Sequence, residues 1–541
     1  MQPDMPSSRR RSAALLIFPC LFLLAACLSA SPASTSTDPR QAGAYVLVTG
    51  NPQASPTPFQ PSSLAAAPFL TALPTLTLTA APVPAAATLT SVPLAASPLP
   101  TDLPLPVAPP ISITAADKPS YSLAAVMDYA NHLVTVNETV IYPNQSAEAL
   151  PSLVLAVNPN LWNGVFFLQN LTVNDAPGNY SLNGQWLIVN FATALQPGAA
   201  VKLGISYQLV LPYSAAKFEN FGYTYRQANL IDWYPFVVPY AGGGAWILRD
   251  PYPYGENLVY PLADFQVRLS FVDQSPPVVA ASAPAMLENG TLVYNLPNAR
   301  NLTLSASPDY LLGSADAGGI TIYNYYFAEH ATAAAQVLEL SREAVLTYSQ
   351  VYGSYPHAAL SVVETDLNDG LETDGLYFLA ANFYATYDGT VRNNLSLIAV
   401  HETAHQWWYG AVASDQALEP WLDEALCTYS ERIFYEKNYP DSLNWWWNFR
   451  IYYYSPSGYV DSHLYDTGTF RAYVNAVYFQ GAKFIEGLRS RIGDSAFFAF
   501  LQDYYASNRG RIVSGNDFFA AVSAHSNVDI GDLIRTYFLY R

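Results

Sequence analysis

Two histidines and a glutamate in the segment 395–410, LSLIAVHETAHQWWYG, have the spacing of a metal site. His401 and His405 are four residues apart, so on a helix both imidazoles emerge from one face and can bind a single Zn²⁺. Glu402 is offset from His401 by about 100° around the helix axis. It therefore points away from the metal ligands but can reach a water molecule that the metal holds.

A third candidate ligand follows after 18 intervening residues. Glu424 lies in the segment 419–426, EPWLDEAL, whose Pro420 suits the first turn of a second helix and places Glu424 near its start. Two imidazoles and one carboxylate, with the fourth position left to water, are typical of a catalytic zinc site. A chance match to the first motif is the alternative, and the second spacing argues against it.

The motif HETAHQWWYG, followed after 18 residues by the glutamate of WLDEALCTYSE, resembles the gluzincin zinc aminopeptidases. This is the family of membrane alanyl aminopeptidase (aminopeptidase N) and leukotriene A4 hydrolase. The resemblance covers roughly residues 120–541 and implies one Zn²⁺ on His401, His405 and Glu424, with Glu402 as general base. Asp423 and Ala425 stand where the family has Asn and Gly, and neither change removes a ligand.

A second family element lies upstream of the zinc helix. The segment 369–378, DGLETDGLYF, resembles the Gly-x-Met-Glu-Asn exopeptidase segment, with Leu371 in place of Met and Thr373 in place of Asn. Its Gly370, Leu371 and Glu372 are the candidate substrate-binding residues. The resemblance implies an edge strand along the substrate, with Glu372 binding the free α-ammonium of a peptide in a charge-assisted pair. The alternative is a solvated acidic loop or a calcium-like cluster of Asp366, Asp369, Glu372 and Asp374.

A third element lies downstream of the zinc motif. The segment 476–483, AVYFQGAK, resembles the Tyr-x-Lys-Gly-Ala segment of the family, whose tyrosine hydroxyl stabilises the tetrahedral intermediate. This resemblance alone assigns that role to Tyr478, since any one of the 40 tyrosines is by default a core or surface residue. Glu431 lies two helical turns beyond Glu424 and could accept the outer N–H of a ligating imidazole, although a surface carboxylate is at least as plausible.

The elements that must position these residues divide the chain into four parts. Residues 118–313 contain short alternating runs, such as 133–140, 186–189 and 201–207, which predict an antiparallel β domain. Residues 314–541 begin with a helix predicted over 331–351 and two strand-like runs, and are mainly helical from about 394. Together they predict an α+β multidomain fold. The resemblance implies a saddle-like first domain and a thermolysin-like zinc catalytic second domain. Only 117 residues follow Glu424, so we expect no large C-terminal helical domain.

The first 117 residues predict export rather than a folded domain. Three arginines precede an apolar run that ends in LAAC at Cys27, which resembles a lipoprotein signal peptide over residues 1–27. Residues 28–117 are rich in Pro, Ala, Ser and Thr and predict a disordered tether. We therefore expect an extracytoplasmic bacterial lipoprotein anchored to the membrane by a lipid on Cys27. The alternative is an ordinary signal peptide with an incidental cysteine.

Composition narrows the possible partners. The chain has 24 basic and 42 acidic residues, a net charge of −18, which argues against nucleic acid as a partner. Three cysteines cannot make a disulfide scaffold or a cysteine-rich structural metal site. The oligomeric state is not predictable from these features.

We predict a zinc metallo-aminopeptidase that hydrolyses the N-terminal peptide bond of peptides with a free N-terminus. A zinc-activated water attacks, Glu402 takes its proton, and Tyr478 shares the developing charge on the carbonyl oxygen. A zinc endopeptidase or a non-peptide hydrolase on the same scaffold is the nearest alternative. A surface-anchored binding protein with a relict zinc site is an alternative of another class.

Overall fold

The structure, a computed structural model, describes residues 117–214, 221–366 and 368–541. The predicted signal peptide, Cys27 and nearly all of the predicted tether lie outside the described residues. Two regions follow one another along the described chain: a β region up to residue 310 and a mixed region from residue 311. Among the described residues, no helix has the length and hydropathy needed to cross a membrane.

The β region is built on alternating strands, as the sequence predicts. In β8, and in β2 as far as Val140, every second side chain is buried, because the pleat turns alternate residues to the core and to the other face. The largest sheet has eight strands in the order β16-β17-β14-β1-β2-β8-β4-β5, antiparallel except for the parallel pair of β1 and β14. Two four-stranded sheets, β15-β18-β10-β9 and β11-β3-β7-β6, contribute to the core of the region. The strands are β1 (Ser120–Asp128), β2 (Leu133–Pro143), β3 (Leu150–Ala156), β4 (Phe166–Val173), β5 (Ala176–Pro177), β6 (Asn179–Asn183), β7 (Trp186–Leu195), β8 (Ala200–Val210), β9 (Gly222–Tyr223), β10 (Ala228–Leu230), β11 (Phe236–Val237), β12 (Tyr240–Gly242), β13 (Ala245–Trp246), β14 (Ala263–Phe271), β15 (Val278–Ala281), β16 (Ala285–Glu288), β17 (Thr291–Ala299) and β18 (Leu304–Ser307).

The mixed region begins with a five-stranded sheet in the order β19-β20-β21-β23-β22. Its central pairs, β20 with β21 and β21 with β23, are parallel, and β22 forms one edge of the sheet. The predicted boundary between residues 313 and 314 falls inside β19, which pairs with β20 and so belongs to this sheet. The strands are β19 (Leu311–Asp316), β20 (Thr321–Tyr326), β21 (Ala359–Thr365), β22 (Leu371–Thr373), β23 (Leu376–Ala380), β24 (Ala413–Ser414) and β25 (Ile512–Val513).

Helices make up most of the mixed region after the sheet. The predicted helix over 331–351 is present with those bounds, and the helices that carry the zinc motifs pack against each other in one apolar core. The helices are α1 (Ala331–Val351), α2 (Ala381–Ala385), α3 (Asn394–His405), α4 (Trp421–Asn438), α5 (Leu443–Trp446), α6 (Phe470–Val474), α7 (Gly481–Ile492), α8 (Asp494–Asn508), α9 (Gly515–His525) and α10 (Gly531–Tyr537).

Arginines of the β region attach it to the mixed region. The buried Arg300 guanidinium donates to the backbone carbonyls of Gly410, Ala411 and Arg511, and its own backbone N–H donates to Asp374 at 2.7 Å. Arg249 grips the Asp415 carboxylate with two nitrogens, at 3.0 and 2.5 Å from Oδ2. Because Gly410, Ala411 and Asp415 lie in the segment between α3 and α4, these contacts fix the β region directly beside the zinc motifs.

Candidate metal centre and active site

Helix α3 presents His401 and His405 to helix α4. The helix begins at a capped end, where the Asn393 side chain accepts a hydrogen bond from the Ser396 N–H at 2.9 Å. Nearly every residue of α3 is buried, as expected for a helix with apolar residues all round. The rigid surroundings hold both imidazoles on one face, with ring centroids 4.8 Å apart.

The three predicted ligands meet at one point. The Nε2 atoms of His401 and His405 lie 3.2 and 3.7 Å from the same oxygen, Oε2 of Glu424. Ligand atoms about 2.0 to 2.2 Å from a tetrahedral Zn²⁺ lie about 3.3 to 3.6 Å from one another. The two imidazoles and the carboxylate therefore have the chemistry and the spacing to hold one zinc ion, with room for a fourth ligand.

The outer nitrogen of His401 has a charged partner. Its Nδ1 lies 2.8 Å from Oε1 of Glu431, whose carboxylate also accepts from the Arg450 guanidinium at 2.8 and 2.9 Å and from the Trp446 indole at 2.9 Å. Burial opposes ionisation here, but Arg450 and His401 together hold the pKa of Glu431 below its ordinary value. We call His401, Glu431, Arg450 and Trp446 the His401 side of the centre.

The outer nitrogen of His405 has a different partner. Its Nδ1 lies 2.6 Å from Oδ1 of Asp423, and Oδ2 of Asp423 accepts from the Gln416 amide at 3.0 Å. The same amide nitrogen lies 3.2 Å from Oε1 of Glu372. We call His405, Asp423, Gln416 and Glu372 the His405 side of the centre.

Glu402 lies beside the ligands with an unused oxygen. The side chain is 3% exposed, and its Oε2 is buried with no hydrogen-bond partner among the described residues. The other oxygen, Oε1, would lie 2.2 Å from a Cβ atom at position 370, so only a glycine fits at Gly370. Burial raises the pKa of Glu402 well above its ordinary value. A carboxylate in this setting can take up a proton from a water molecule at the metal.

The structure places Glu372 on the edge strand β22, next to the ligands. Glu372 is 7% exposed, and ligand-type atoms of Glu372, His405 and Glu424 all lie within 4.8 Å of one another. Leu371 and Glu372 line a small cavity of about 20 Å³ together with Glu256 and Gln416. Burial and the neighbouring Glu256 raise the pKa of Glu372 well above its ordinary value.

The cavity receives a second acidic group from the β region. Glu256, in the loop before β14, is half-buried, and burial together with the nearby Glu424 raises its pKa to about 8. The sequence analysis did not single out this residue. No recognised motif marks this loop, and its place beside the zinc region follows from the fold.

The structure does not support the alternative hypothesis of a calcium-like cluster in the acidic segment 366–374. Asp366 is held by the Arg226 guanidinium at 2.8 Å, and Asp374 is held by the His357 ring at 2.7 Å. Glu372 instead accepts from Gln416 and faces the cavity. Among the described residues, no group of candidate metal ligands includes Asp366, Asp369 or Asp374.

Tyr478 lies beside the metal ligands. It is carried by the π-helical turn Asn475–Gln480 that precedes α7, it is 6% exposed, and its hydroxyl contacts the Glu424 carboxylate. Its ring lies 5.9 Å from that of His401 and almost parallel to it, at 8°. A Cβ atom at Gly481 would lie 2.3 Å from that of Ala425, so glycine allows α7 to approach α4 and to bring Tyr478 to Glu424.

The comparisons with known proteins agree with this geometry. Residues 338–537 match the sequence profile of the peptidase family M1 domain. This segment is therefore a peptidase family M1 domain. The predictions of the family, of a zinc peptidase and of zinc as the cofactor are confirmed at that level. No curated protein sequence shows significant similarity to the chain.

Solved structures share the two-domain fold. An M1 zinc metallopeptidase from Deinococcus radiodurans aligns with a TM-score of 0.56 and 19% identity, over 77% of this chain and 92% of that chain. A glutamate-to-alanine variant of the Deinococcus protein, bound to the substrate Tyr-Ser-Ala, aligns with a TM-score of 0.56 and 18% identity over 78% of this chain and 94% of that chain. The fold prediction, a β-rich domain followed by a helical domain, is confirmed.

Proposed function

We propose that the protein is an aminopeptidase, which removes the first residue from peptides with a free N-terminus. The observation that carries this proposal is the position of Glu372 and Glu256 in one cavity beside the ligands His405 and Glu424. Burial and repulsion by neighbouring carboxylates raise the pKa of both carboxyl groups, and a cation between them would favour their charged forms; the α-ammonium of a peptide is such a cation.

The anchor also explains which bond would be cut. The carbonyl carbon of the first residue lies only two covalent bonds from its α-nitrogen, a distance of about 2.5 Å. A peptide whose ammonium is held at Glu372 therefore presents its first carbonyl to the neighbouring metal centre and excludes the later ones. Binding in one register supplies much of the orientation that hydrolysis requires.

The residues of the chain divide the chemical work. Zinc, when bound, supplies a Lewis acid that activates water and polarises the scissile carbonyl. Glu402 accepts the proton of the attacking water on its unpaired oxygen and later delivers it to the leaving amine. The Tyr478 hydroxyl, adjacent to Glu424, donates a hydrogen bond to the carbonyl oxygen as negative charge develops on it.

A pair of substrates tests the proposal. Zinc-loaded protein should cleave a short peptide with a free N-terminus at least about 100-fold faster, in kcat/KM, than the same peptide with an acetylated N-terminus, because acetylation removes the anchoring charge. Equal cleavage of the two would point to an endopeptidase. No zinc-dependent cleavage of either peptide would point to a non-peptide hydrolase or to a binding protein with a relict site.

Export and lipid anchoring, predicted from residues 1–117, belong to the same proposal. The lipobox-like LAAC at Cys27 supports them, and a membrane-tethered peptidase would act on peptides outside the cytoplasm. The substitution Cys27→Ala should move the protein from the membrane fraction to the soluble extracytoplasmic fraction and abolish labelling with a fatty acid. Unchanged fractionation and labelling would contradict the anchor.

A further inference from the structure

Gln416 lies between the metal centre and the cavity. It is 5% exposed and sits in the segment between α3 and α4, just before the helix that carries Glu424. Its Nε2 is 3.0 Å from Oδ2 of Asp423 and 3.2 Å from Oε1 of Glu372. A side-chain amide nitrogen carries two hydrogens, so Gln416 can donate one to each carboxylate.

The two partners have different tasks. Asp423 holds the outer nitrogen of the ligand His405 at 2.6 Å, and Glu372 faces the cavity. Two carboxylates this close to one nitrogen repel each other, and an uncharged donor between them satisfies one oxygen of each. The Gln416 amide can donate to both carboxylates only when its NH₂ group faces them, so these two hydrogen bonds fix the orientation of the amide.

The contacts of Gln416 differ from those of its neighbour Gln406. The Gln406 side chain donates to the backbone carbonyl of Thr373 and accepts from the backbone N–H of Gly375, and so holds the strand itself. The hydrogen bonds that the described structure gives the Gln416 side chain both go to carboxylates of the site. Gln416 therefore orients functional groups and not backbone.

We infer that Gln416 is a positioning residue that fixes the Glu372 carboxylate relative to the zinc ligand His405, and thereby sets the N-terminus of a peptide against the metal centre. This inference rests on the proposed aminopeptidase function. It extends that function, because it assigns the distance between the anchor and the metal to a residue that is neither the anchor nor a predicted metal ligand.

The first test is Gln416→Met, which keeps the length of the side chain and removes both donors. A lost hydrogen bond to a charged group corresponds to about 10- to 100-fold. We expect KM for a leucyl anilide with a free amine to rise by about that factor, with kcat changed by less than about threefold. The preference for the free over the acetylated substrate should fall by the same factor, and the zinc content should remain one per chain.

A matched control separates this role from the loss of any buried amide. Gln185 is 2% exposed, and its amide donates to the backbone carbonyl of Arg249 in the β region. Gln185→Met should lower the unfolding temperature about as much as Gln416→Met, while leaving KM and the preference for the free amine unchanged. If Gln416→Met does not fold, Gln416→Asn, which retains an amide on a shorter side chain, should raise KM in the same direction.

A double variant shows whether Gln416 acts through Glu372. Once Glu372→Gln has removed the anchoring charge, adding Gln416→Met should change kcat/KM by less than about threefold, because interacting residues are not additive. Fully multiplicative effects, or a Gln416→Met protein with the KM and free-amine preference of the wild type, would overturn the inference while leaving the proposed function intact. Failure of the zinc-loaded wild type to cleave the free-amine substrate would overturn the proposed function, and this inference with it.

Discussion

The two imidazoles of the metal centre are held in different ways. On the His401 side, the carboxylate of Glu431 is balanced by the buried Arg450, with two hydrogen bonds of 2.8 and 2.9 Å. On the His405 side, the carboxylate of Asp423 has the uncharged Gln416 amide as its further partner, and that amide leads to Glu372 in the cavity. The first side is a closed, charge-balanced support, and the second is continuous with the place where a substrate's ammonium would bind.

This difference separates holding the metal from recognising the substrate. Second partners of metal-bound histidines orient the rings on both sides. On the His405 side, the hydrogen bonds of Gln416 link Asp423 to Glu372, an acidic group of the cavity. Changes on the His401 side should therefore affect stability and metal binding, whereas changes on the His405 side should also affect KM.

The largest effect is expected from Glu402, which belongs to neither side. Glu402→Gln removes the proton acceptor but leaves both histidines and their partners in place, so kcat should fall at least about 10³-fold while zinc content stays at one per chain. Paired measurements of kcat and of metal by atomic spectroscopy check this. Substantial activity at equal zinc content would refute the assignment of Glu402 as general base.

The next effect is expected on the His401 side. Glu431→Gln leaves the buried Arg450 guanidinium without the carboxylate that it grips, which should lower the free energy of unfolding by about 3 to 5 kcal/mol. Denaturant unfolding with saturating zinc measures this. Combining Glu431→Gln with Arg450→Met should restore much of the loss, because the unpaired charge is gone. KM of the folded enzyme should stay near that of the wild type, and a large rise would break the distinction between the two sides.

A smaller effect on stability is expected at the wall of the cavity, outside the His405 side. Asp232 lines the cavity, is 7% exposed and accepts from the Tyr260 hydroxyl at 2.7 Å. Burial raises its pKa to about 6. Because the folded pKa lies above the unfolded value of about 3.9, its contribution to stability is complete below about pH 4 and is lost as the pH rises through about 6.

Asp232→Asn should remove this pH dependence. The rise in the pKa of Asp232 from about 3.9 to about 6 lowers the free energy of unfolding by at most about 3 kcal/mol at pH 8. The variant should therefore be more stable than the wild type at pH 8 and about equally stable at pH 4. Asparagine tolerates the positive φ of 51° at this position and can still accept from Tyr260. Denaturation midpoints at the two pH values measure the effect, with the exposed Asp117→Asn as control. If the wild type and Asp232→Asn lose the same stability as the pH rises, burial of the Asp232 charge is not the cause of the pH dependence.

The smallest effect is expected from Asp423, which contacts both His405 and Gln416. Asp423→Asn still offers an oxygen to His405, but its amide then faces the Gln416 amide, and one of the two must turn away. We expect zinc affinity to fall about tenfold and KM for a free-amine substrate to rise about tenfold, with little change in stability. Chelator competition and steady-state kinetics measure the two quantities. A loss of zinc affinity with unchanged KM would show that Asp423 supports the metal alone.

How much of this could be predicted from sequence depends on the range of the interaction. The predicted ligands His401, His405 and Glu424 are brought together by their spacing along two neighbouring helices, and the helix over 331–351 has the predicted bounds. Local periodicity and motif spacing carry that information. The predicted boundary between residues 313 and 314 falls inside β19, because strand ends give weak local signals.

The remaining parts of the site depend on contacts between distant segments. Glu256 reaches the cavity from a loop that lies more than 100 residues before Glu372. Gln416 has no pattern of its own, and its role becomes visible only when Asp423 and Glu372 are seen on either side of it. Sequence spacing cannot reveal such pairs, since they are brought together by the packing of the β region against the zinc helices.

The most direct test of whether Glu372 binds the free N-terminus compares two values of kcat/KM. The ratio of kcat/KM for a free peptide to that for its acetylated form is measured for zinc-loaded wild type and for Glu372→Gln. We expect a ratio of at least about 100 for the wild type. In the variant the ratio should be at least about tenfold lower, because the anchoring charge has been removed. A wild-type ratio near one, or an unchanged ratio in the variant, would contradict the claim that Glu372 binds the free N-terminus.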